Sequence, residues 1–381
     1  MTSLILLGGG LANGLLALEL LRSRPELDFT VIEAGTRLGG DHTWSFHHND
    51  LAEAGHSLVA PLVSHRWSGQ SVRFPHHRRN LPAPYYSIPS DRFAAHLAQR
   101  LGGRLRLNAR AVEIGPRHVV IEGGERLEAD SVIRADGIPR TDALAIRFQT
   151  FVGKELRFAR PHGLCDPIIM DATTPQEGGY RFTYVLPFSS DTALVEDTAY
   201  EDGGRIDRPA LERRIADYCG LQGWQPVETL REEEGVLPIT LGGDIDRFWR
   251  ETGGVPSIGL RGNFFHPVTG YSLPDAVRVA GLIARQRDFA APALHDTVES
   301  CSKRLWRERS FLRALNRMLF LAGHPERRWQ VMERFYRLPE DLIARFYAAE
   351  LVTTDKLRLL AGKPPVPILG AINALLSDGR A

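Results

Sequence analysis

The chain opens with Leu4-Ile5-Leu6-Leu7, a short uninterrupted apolar run suited to a strand buried on both faces, and the Gly8-Gly9-Gly10 turn ends it. From Leu11 to Leu21 apolar residues recur at helical spacing among good helix formers. Phe29-Thr30-Val31-Ile32 predicts a second strand, with Glu33 at its carboxyl end. A strand, turn, helix and strand in this order form a unit that binds a dinucleotide. Glycines admit a pyrophosphate to the backbone, the helix amino end offers free N–H groups, and a carboxylate about twenty residues on holds a ribose hydroxyl. Gly8 and Gly10 fill the first two positions of G-x-G-x-x-G, Asn13 stands in the third, and Gly14 follows it. The competing reading, an ordinary tight turn into a helix, is weakened by the flanking strands and by the position of Glu33, which favours FAD or NAD over NADP.

Further along, the pattern changes character several times. Gly39-Gly40 followed by Asp41-His42-Thr43-Trp44-Ser45-Phe46-His47-His48 suits a loop folding over a cofactor. Residues 50–90 read as short aromatic strands broken by prolines, and a helix is predicted over 90–101 behind a Ser90-Asp91 cap. Residues 128–137 read as a strand ending in Asp136-Gly137, and from Phe151 the alternation becomes that of antiparallel strands. Tyr180 to Leu186, a turn at 187–191 and Thr192 to Thr198 predict a hairpin. A helix over 209–220, a polar stretch at 231–235 leading to a strand at 236–239, and a helix over 273–287 follow, and the rest reads as mostly helical.

Composition narrows the function classes. At 381 residues with a net charge of +1, the chain is long enough for two or three domains and is not a polyanion binder, so no nucleic-acid partner is expected. Three distant cysteines, Cys165, Cys219 and Cys301, argue against a disulfide framework and for a reducing compartment. Neither a secretory signal nor an apolar run long enough for a membrane span is apparent. His47, His48, His76 and His77 are adjacent pairs without metal-ligand spacing, and no metal is expected. No G-x-S-x-G marks a serine hydrolase. Between Cys301 and Arg337 ten Lys or Arg face three Glu, interleaved with Leu305, Trp306, Phe311, Leu312, Leu315, Met318, Leu319 and Phe320. Such a segment lies on an anionic bilayer surface or packs its apolar face on its own core.

Several segments together carry a resemblance. Gly8-x-Gly10-Leu11-Ala12-Asn13-Gly14, Gly40-Asp41-His42-Thr43-Trp44-Ser45-Phe46-His47, Pro161-His162-Gly163-Leu164, Pro167-Ile168-Ile169-Met170-Asp171-Ala172, Val195-Glu196-Asp197-Thr198, His266-Pro267-Val268-Thr269-Gly270-Tyr271-Ser272-Leu273-Pro274 and Leu338-Pro339-Glu340-Asp341-Leu342-Ile343-Ala344-Arg345-Phe346-Tyr347 resemble the bacterial lycopene beta-cyclases nearly end to end. The resemblance implies an α/β, two-dinucleotide-fold flavoprotein like the FAD-dependent hydroxylases, with an antiparallel β substrate domain and a helical C-terminal region. The expected division is 1–70, 95–150 and 250–290 for the FAD domain, 71–94 and 151–249 for the substrate domain, and 291–381 for the helical region.

It further implies proton-initiated, non-redox closure of the ends of lycopene to beta-ionone rings, with reduced FAD stabilising a carbocation and NADPH or NADH supplying its electrons. FAD contacts are expected from Gly8, Gly10, Asn13, Gly14, Glu33, Gly40, Asp136 and the turn Pro267, Thr269, Gly270 and Tyr271. The position before that turn, where the hydroxylases carry Gly-Asp, reads Gly259-Leu260-Arg261, without the aspartate.

Glu196 is the candidate acid, because a carboxyl in apolar surroundings keeps its proton. Asp197 accompanies it as a candidate, though strand alternation turns it to the opposite face, and Asp171 is a candidate supporting group or base. Trp44, Phe46, Phe182 and Tyr184 are expected to line a substrate tunnel and offer π-faces to a cation. The partner would be lycopene in the bilayer, with peripheral contact at the cytoplasmic side of the inner membrane and other carotenoid-pathway enzymes nearby. Two other readings share the scaffold: an FAD-dependent monooxygenase or reductase of an isoprenoid, and a non-catalytic lipid escort protein.

Overall fold

The computed structural model describes residues 2–361, 367–377 and 379, so part of the region expected to be helical, 362–366 and the last residues, lies outside the described residues. Ser3–Leu7 is an inner strand of a four-stranded parallel sheet, between Ser131–Arg134 and Asp28–Ile32, with Leu105–Arg106 beyond the latter. Its apolar run is continuous because both faces are covered. Leu4 and Leu6 join the helices Leu11–Ser23 and Leu273–Ala284, while Ile5 and Leu7 meet Val119, Ile121 and Val255 on the other side. The glycine turn therefore emerges at the carboxyl edge of the sheet, beside the end of Asp28–Ile32.

The second body is a seven-stranded sheet ordered Pro226–Gly243, Leu144–Phe158, Thr192–Glu201, Tyr180–Pro187, Ile168–Asp171, Gln70–Phe74 and His77–Leu81. All its pairs are antiparallel except Ile168–Asp171 with Gln70–Phe74. Val152, Leu156, Val185, Ala193 and Val195 project from one face and are covered by the helix Arg208–Gln222. From the other face Ile169, Met170, Phe182, Leu194 and Tyr200 join the apolar sides of the C-terminal helices.

Three expectations need correction here. The antiparallel pattern begins at Leu144 rather than at 151, in one fifteen-residue strand paired along its length with Pro226–Gly243. That second strand contains the polar stretch 231–235 instead of following it. Glu233 and Gly235 are buried while Glu232 and Glu234 are exposed and paired with Lys154 and Arg208, so alternation survives inside a charged run. Within 71–94, only residues up to Leu81 join this sheet, because Tyr85–Pro89 pairs with Thr43–His47 and His65–Trp67 in a separate three-stranded sheet.

The basic segment takes the second of its two readings. Arg309 is buried and forms a bidentate pair with Asp275 at 2.5 and 2.8 Å. Arg313 is buried with its guanidinium 3.6 Å from the centre of the Trp306 ring, and Arg328 donates to the carbonyls of Leu319 and Phe320. A surface array facing lipid headgroups cannot be built from these three, and the helices Ala291–Glu308 and Ser310–Leu321 pack their apolar faces on their own core. Among the described residues no helix is long and apolar enough to cross a membrane.

The Arg309–Asp275 pair makes a stability prediction. Arg309→Met takes the bidentate partner from a buried carboxylate in the first turn of Leu273–Ala284 and leaves it only the half-exposed Arg278, and the expected loss is about 3 kcal/mol, read as a lowered denaturant midpoint.

Candidate active site

Gly8 has φ +95°, and a Cβ there would stand 2.7 Å from the Ala135 carbonyl oxygen, so only glycine lets the first strand turn this close to its neighbour. At Gly10, by contrast, a Cβ would meet nothing within 4 Å. Open space thus lies against the first turn of Leu11–Ser23, whose amino end has no side-chain cap. Glu33 stands at the lip of this opening, with its carboxylate accepting from the Gly9 and Gly35 amides at 2.7 Å each. Donors at a helix start, an open cradle and an adjacent carboxylate fit the pyrophosphate and ribose of a dinucleotide.

Two of the expected cofactor contacts turn out to be structural. Asn13 is buried, and its Nδ2 donates to the carbonyls of Leu7, Gly8 and Ile133, bolting the glycine turn to the sheet. Gly14 faces the helix Ser90–Leu101, where a Cβ would come within 2.3 Å of the Phe93 ring, so it serves close packing. Asp136 does lie at the carboxyl edge, held by Arg134 at 2.7 Å and by Arg261 at 3.0 Å. Arg261 stands just where the hydroxylase-like aspartate was missing, and its interaction is with Asp136. Gly40 is exposed and outside the cavity described next, and Pro267 lines a separate small crevice by Arg309.

A cavity of about 190 Å³ lies between the dinucleotide fold and the seven-stranded sheet. Trp44 and Ser45 reach it from the three-stranded sheet; Phe182, Tyr184 and Glu196 from the large sheet; Thr269, Gly270 and Tyr271 from the turn before Leu273–Ala284; and Tyr347 from the C-terminal helices. The turn is locked by His266. Its Nδ1 accepts from the Val268 and Thr269 amides at 3.2 Å and its Nε2–H donates to the Phe346 carbonyl at 2.9 Å, while burial pushes its pKa down to about 4 and keeps the ring neutral. Tyr85 gathers the phenols of Tyr184 and Tyr271 at 3.0 and 2.9 Å, and Tyr184 donates to Ser45 at 2.8 Å. Burial raises the pKa of all three phenols well above the usual range, so they remain protonated.

Glu196 is the buried carboxyl of this cavity. Thr198 donates to it at 2.6 Å, and burial first, then the nearby Glu233 carboxyl, push its pKa well above the usual carboxylate range. Glu233 is the residue beside this carboxyl that sequence reasoning does not single out. It is 3% exposed and accepts from Thr43 Oγ1 and Arg231 Nη1 at 2.7 Å each. Its signal was present in the Arg231-Glu232-Glu233-Glu234 run, where period-two alternation turns the middle glutamate inward. Tyr347 and His266 stand within the motifs carrying the resemblance, one at the cavity wall and the other beneath its turn.

Three further candidates are corrected. Asp197 projects from the opposite face and is clamped by Arg181 at 2.5 and 2.6 Å. Asp171 lies on that same side, accepting from Tyr218 at 3.0 Å and Thr173 at 2.6 Å. Both are structural carboxylates, because their strands alternate and the partner arginines and hydroxyls are all behind the sheet. Phe46 is fully buried and stacked on Tyr86 with ring centres 5.0 Å apart, in the core below the cavity. Trp44, Phe182 and Tyr184 do line it.

The fold is that of the FAD-dependent monooxygenases and reductases. HpxO of Klebsiella pneumoniae, solved with FAD and uric acid, matches with a TM-score of 0.61 at 14% identity over 92% of this chain and 96% of that one. A geranylgeranyl bacteriochlorophyll reductase-like protein of Thermoplasma acidophilum matches at 0.59, with 15% identity over 98% and 99%. Within this class the sequence is more specific. The family model described as "Lycopene cyclase protein" matches residues 3–373, and a lycopene beta-cyclase of Pantoea ananas is 48% identical over 377 residues, 99% of this chain and 98% of that protein. The chain belongs to the lycopene cyclase family.

The raised Glu196 carboxyl has a consequence for stability. The folded chain holds a proton there that the unfolded chain releases above its ordinary pKa of about 4.3. The associated stability is full below that pH and is lost as pH climbs toward the raised folded value. Glu196→Gln removes this loss. The variant is expected to be more stable than the parent at about pH 8 and to show a flatter dependence of denaturant midpoint on pH between about 5 and 8; parallel curves would contradict the assignment.

Proposed function

We propose that this protein is a lycopene beta-cyclase, an intramolecular lyase that closes beta-ionone rings on lycopene without net redox change. The observation that carries the reading is Glu196, a buried carboxyl that keeps its proton at the wall of an aromatic cavity beside the dinucleotide fold, in a chain of this family. Glu196 gives its proton to a terminal double bond of the substrate. The resulting tertiary cation is attacked by a neighbouring double bond, the ring closes, and loss of a ring proton completes the isomerisation. Trp44, Phe182 and Tyr184 present π-faces that attract the cation and contain no basic group that would trap it. The neutral, hydrogen-bonded phenols hold the wall rigid and exclude water, which would otherwise add to the cation.

FAD fits the residues present: Gly10 and the start of Leu11–Ser23 for the pyrophosphate, Glu33 for a ribose, and the turn Thr269-Gly270 at the cavity for the ring system. When bound and reduced, with NADPH or NADH as electron source, it supplies an electron-rich surface beside the cation.

Lycopene reaches the protein from a bilayer, and the contact we propose is an apolar edge rather than the basic segment. Leu357, Leu360, Leu369, Leu375 and Leu376 are exposed on the helices Thr353–Leu360 and Ile368–Leu376. An apolar cavity of about 280 Å³ opens among Leu315, Met318, Val331, Phe335, Leu360 and Leu375 on this side. Val268 and Phe346 in its wall are the sequence neighbours of Thr269 and Tyr347 in the cavity of Glu196.

Two experiments test this reading. Incubated with lycopene, FAD and NADPH in lipid without oxygen, the protein is expected to yield a product of unchanged mass and blue-shifted absorption. A gain of two hydrogens would identify a reductase, and a product formed only in air with added oxygen a monooxygenase. Glu196→Gln should keep flavin and fold while losing cyclisation by about 10²–10⁴-fold, the range for a general acid. For the membrane contact, Leu369→Gln with Leu376→Gln should weaken partitioning to liposomes about tenfold or more, since a fully buried leucine contributes about 1.5–3 kcal/mol and each 1.4 kcal/mol is tenfold. Arg304→Gln with Arg307→Gln should leave it nearly unchanged.

A further inference from the structure

Glu233 touches the acid of the proposed reaction, yet no step above uses it. Strands Pro226–Gly243, Leu144–Phe158 and Thr192–Glu201 lie side by side, and in this register Gly153 of the middle strand is opposite Glu233 on one side and Glu196 on the other. Two residues flanking a middle strand are roughly 10 Å apart along the hydrogen-bonding direction, and a side chain between them would keep them separate. Here there is none. A Cβ on Gly153 would stand 3.0 Å from Glu233 Cγ, 3.3 Å from Glu233 Oε1 and 3.1 Å from Leu194 Cδ1, so the gap is already filled by the glutamate reaching across.

The two carboxyls have different surroundings. Glu233 is bound by Arg231 and Thr43, and Arg231 also donates to Thr43 Oγ1 at 2.7 Å, to the Asp41 carbonyl at 2.9 Å and to Glu155 at 3.3 Å. One guanidinium is thus divided between two carboxylates, and a negative charge is left over. Among the described residues Glu196 has only the Thr198 hydroxyl as a hydrogen-bond donor, with the phenol of Tyr184 opposite it on the next strand. The other ionisable groups nearby do not offset the charge. Burial lowers the pKa of His42 and keeps it neutral, and Asp197 is satisfied by Arg181 behind the sheet. Both the burial of Glu196 and the proximity of Glu233 act to hold a proton on Glu196.

We propose that Glu233 is the positioning residue for proton transfer: its anchored charge keeps the Glu196 carboxyl protonated at rest and, after donation, makes the Glu196 carboxylate the base that recovers a proton from the closed ring. This rests on the cyclisation reading above. The balance closes. The O–H bond of Glu196 breaks as a C–H bond forms at the chain end, two alkene carbons join, and a ring C–H bond then breaks as the O–H re-forms. No electron leaves the substrate. Between the two transfers two carboxylates face each other across Gly153, a like-charge contact that is relieved by taking the proton back.

The test reads the pair without relying on turnover. In the flavin-loaded protein, the carboxylic C=O stretch of Glu196, identified as the infrared band lost in Glu196→Gln, is followed against pH. Glu233→Gln should lower its titration midpoint by about one pH unit or more, the scale of a like-charge neighbour, while Glu233→Asp, which keeps the charge, restores most of it. The alkaline limb of the kcat profile should move with it in lycopene turnover, with KM little changed. An unmoved midpoint in Glu233→Gln overturns the proposal, as does an equal fall in the Asp variant. If Glu233→Gln does not fold, Gly153→Ala decides: a wedge between the carboxyls should lower the midpoint, and an unchanged one overturns the proposal. A shifted midpoint in a protein that does not cyclise lycopene sinks the reaction and leaves the pair; cyclisation with an unmoved midpoint does the reverse.

Discussion

A carboxyl group taken out of water must keep its proton or find a cation, and the large sheet of this protein uses both solutions one residue apart. Glu196 faces the cavity, where no cation is within its hydrogen-bonding set, and keeps its proton. Asp197 faces the other way into the bidentate grip of Arg181. The surrounding structure follows from maintaining that division. An arginine on the cavity face beside Glu196 would discharge the acid, and the loss of Arg181 would leave a bare charge in the core under Arg208–Gln222.

The same requirement explains how the two bodies are joined. Arg231, in the first third of the strand Pro226–Gly243 of the large sheet, reaches out to Thr43 and to the carbonyl of Asp41 after the glycine pair. Trp44 and Ser45, next along the chain in the strand Thr43–His47, face the cavity. On the opposite side His266 couples the Thr269-Gly270 turn to the helix Glu340–Tyr347, and Tyr347 completes the wall. Each contact ties an element near the cradle at Gly10 to one near Glu196. The site is therefore a property of the junction, and its polar ties are buried where misplacement of one strand would leave several donors unpaired.

Much of this was legible along the chain wherever periodicity is strong and local. The first strand, glycine turn and helix need only the apolar run, the glycines and the helical spacing that follows. The hairpin carrying Glu196 needs only alternation. The charged run Arg231 to Gly235 hides its period behind its composition: it reads as a polar stretch ahead of a strand, although it is part of the strand, which turns only Glu232 and Glu234 to solvent. The basic segment is open to two readings along the chain, since Arg309, Arg313 and Arg328 resemble surface charge until Asp275, the Trp306 ring and two helix-end carbonyls are brought to them from elsewhere.

By itself, then, the sequence determined the dinucleotide unit, the antiparallel sheet, the family and the candidate carboxyl Glu196, because each is written in neighbours or in a motif a few residues long. Only the tertiary structure decided what stands beside that acid. Glu233 is thirty-seven residues downstream of Glu196 on a strand that is not adjacent to it, and the two meet only because the sheet interposes the one residue type with no side chain, at Gly153. It also separated Trp44, which reaches the cavity, from Phe46 two positions on, which fills the core. Which face of a strand is inside, and what crosses to meet it, depends on register between strands distant in sequence, and no local pattern carries that information.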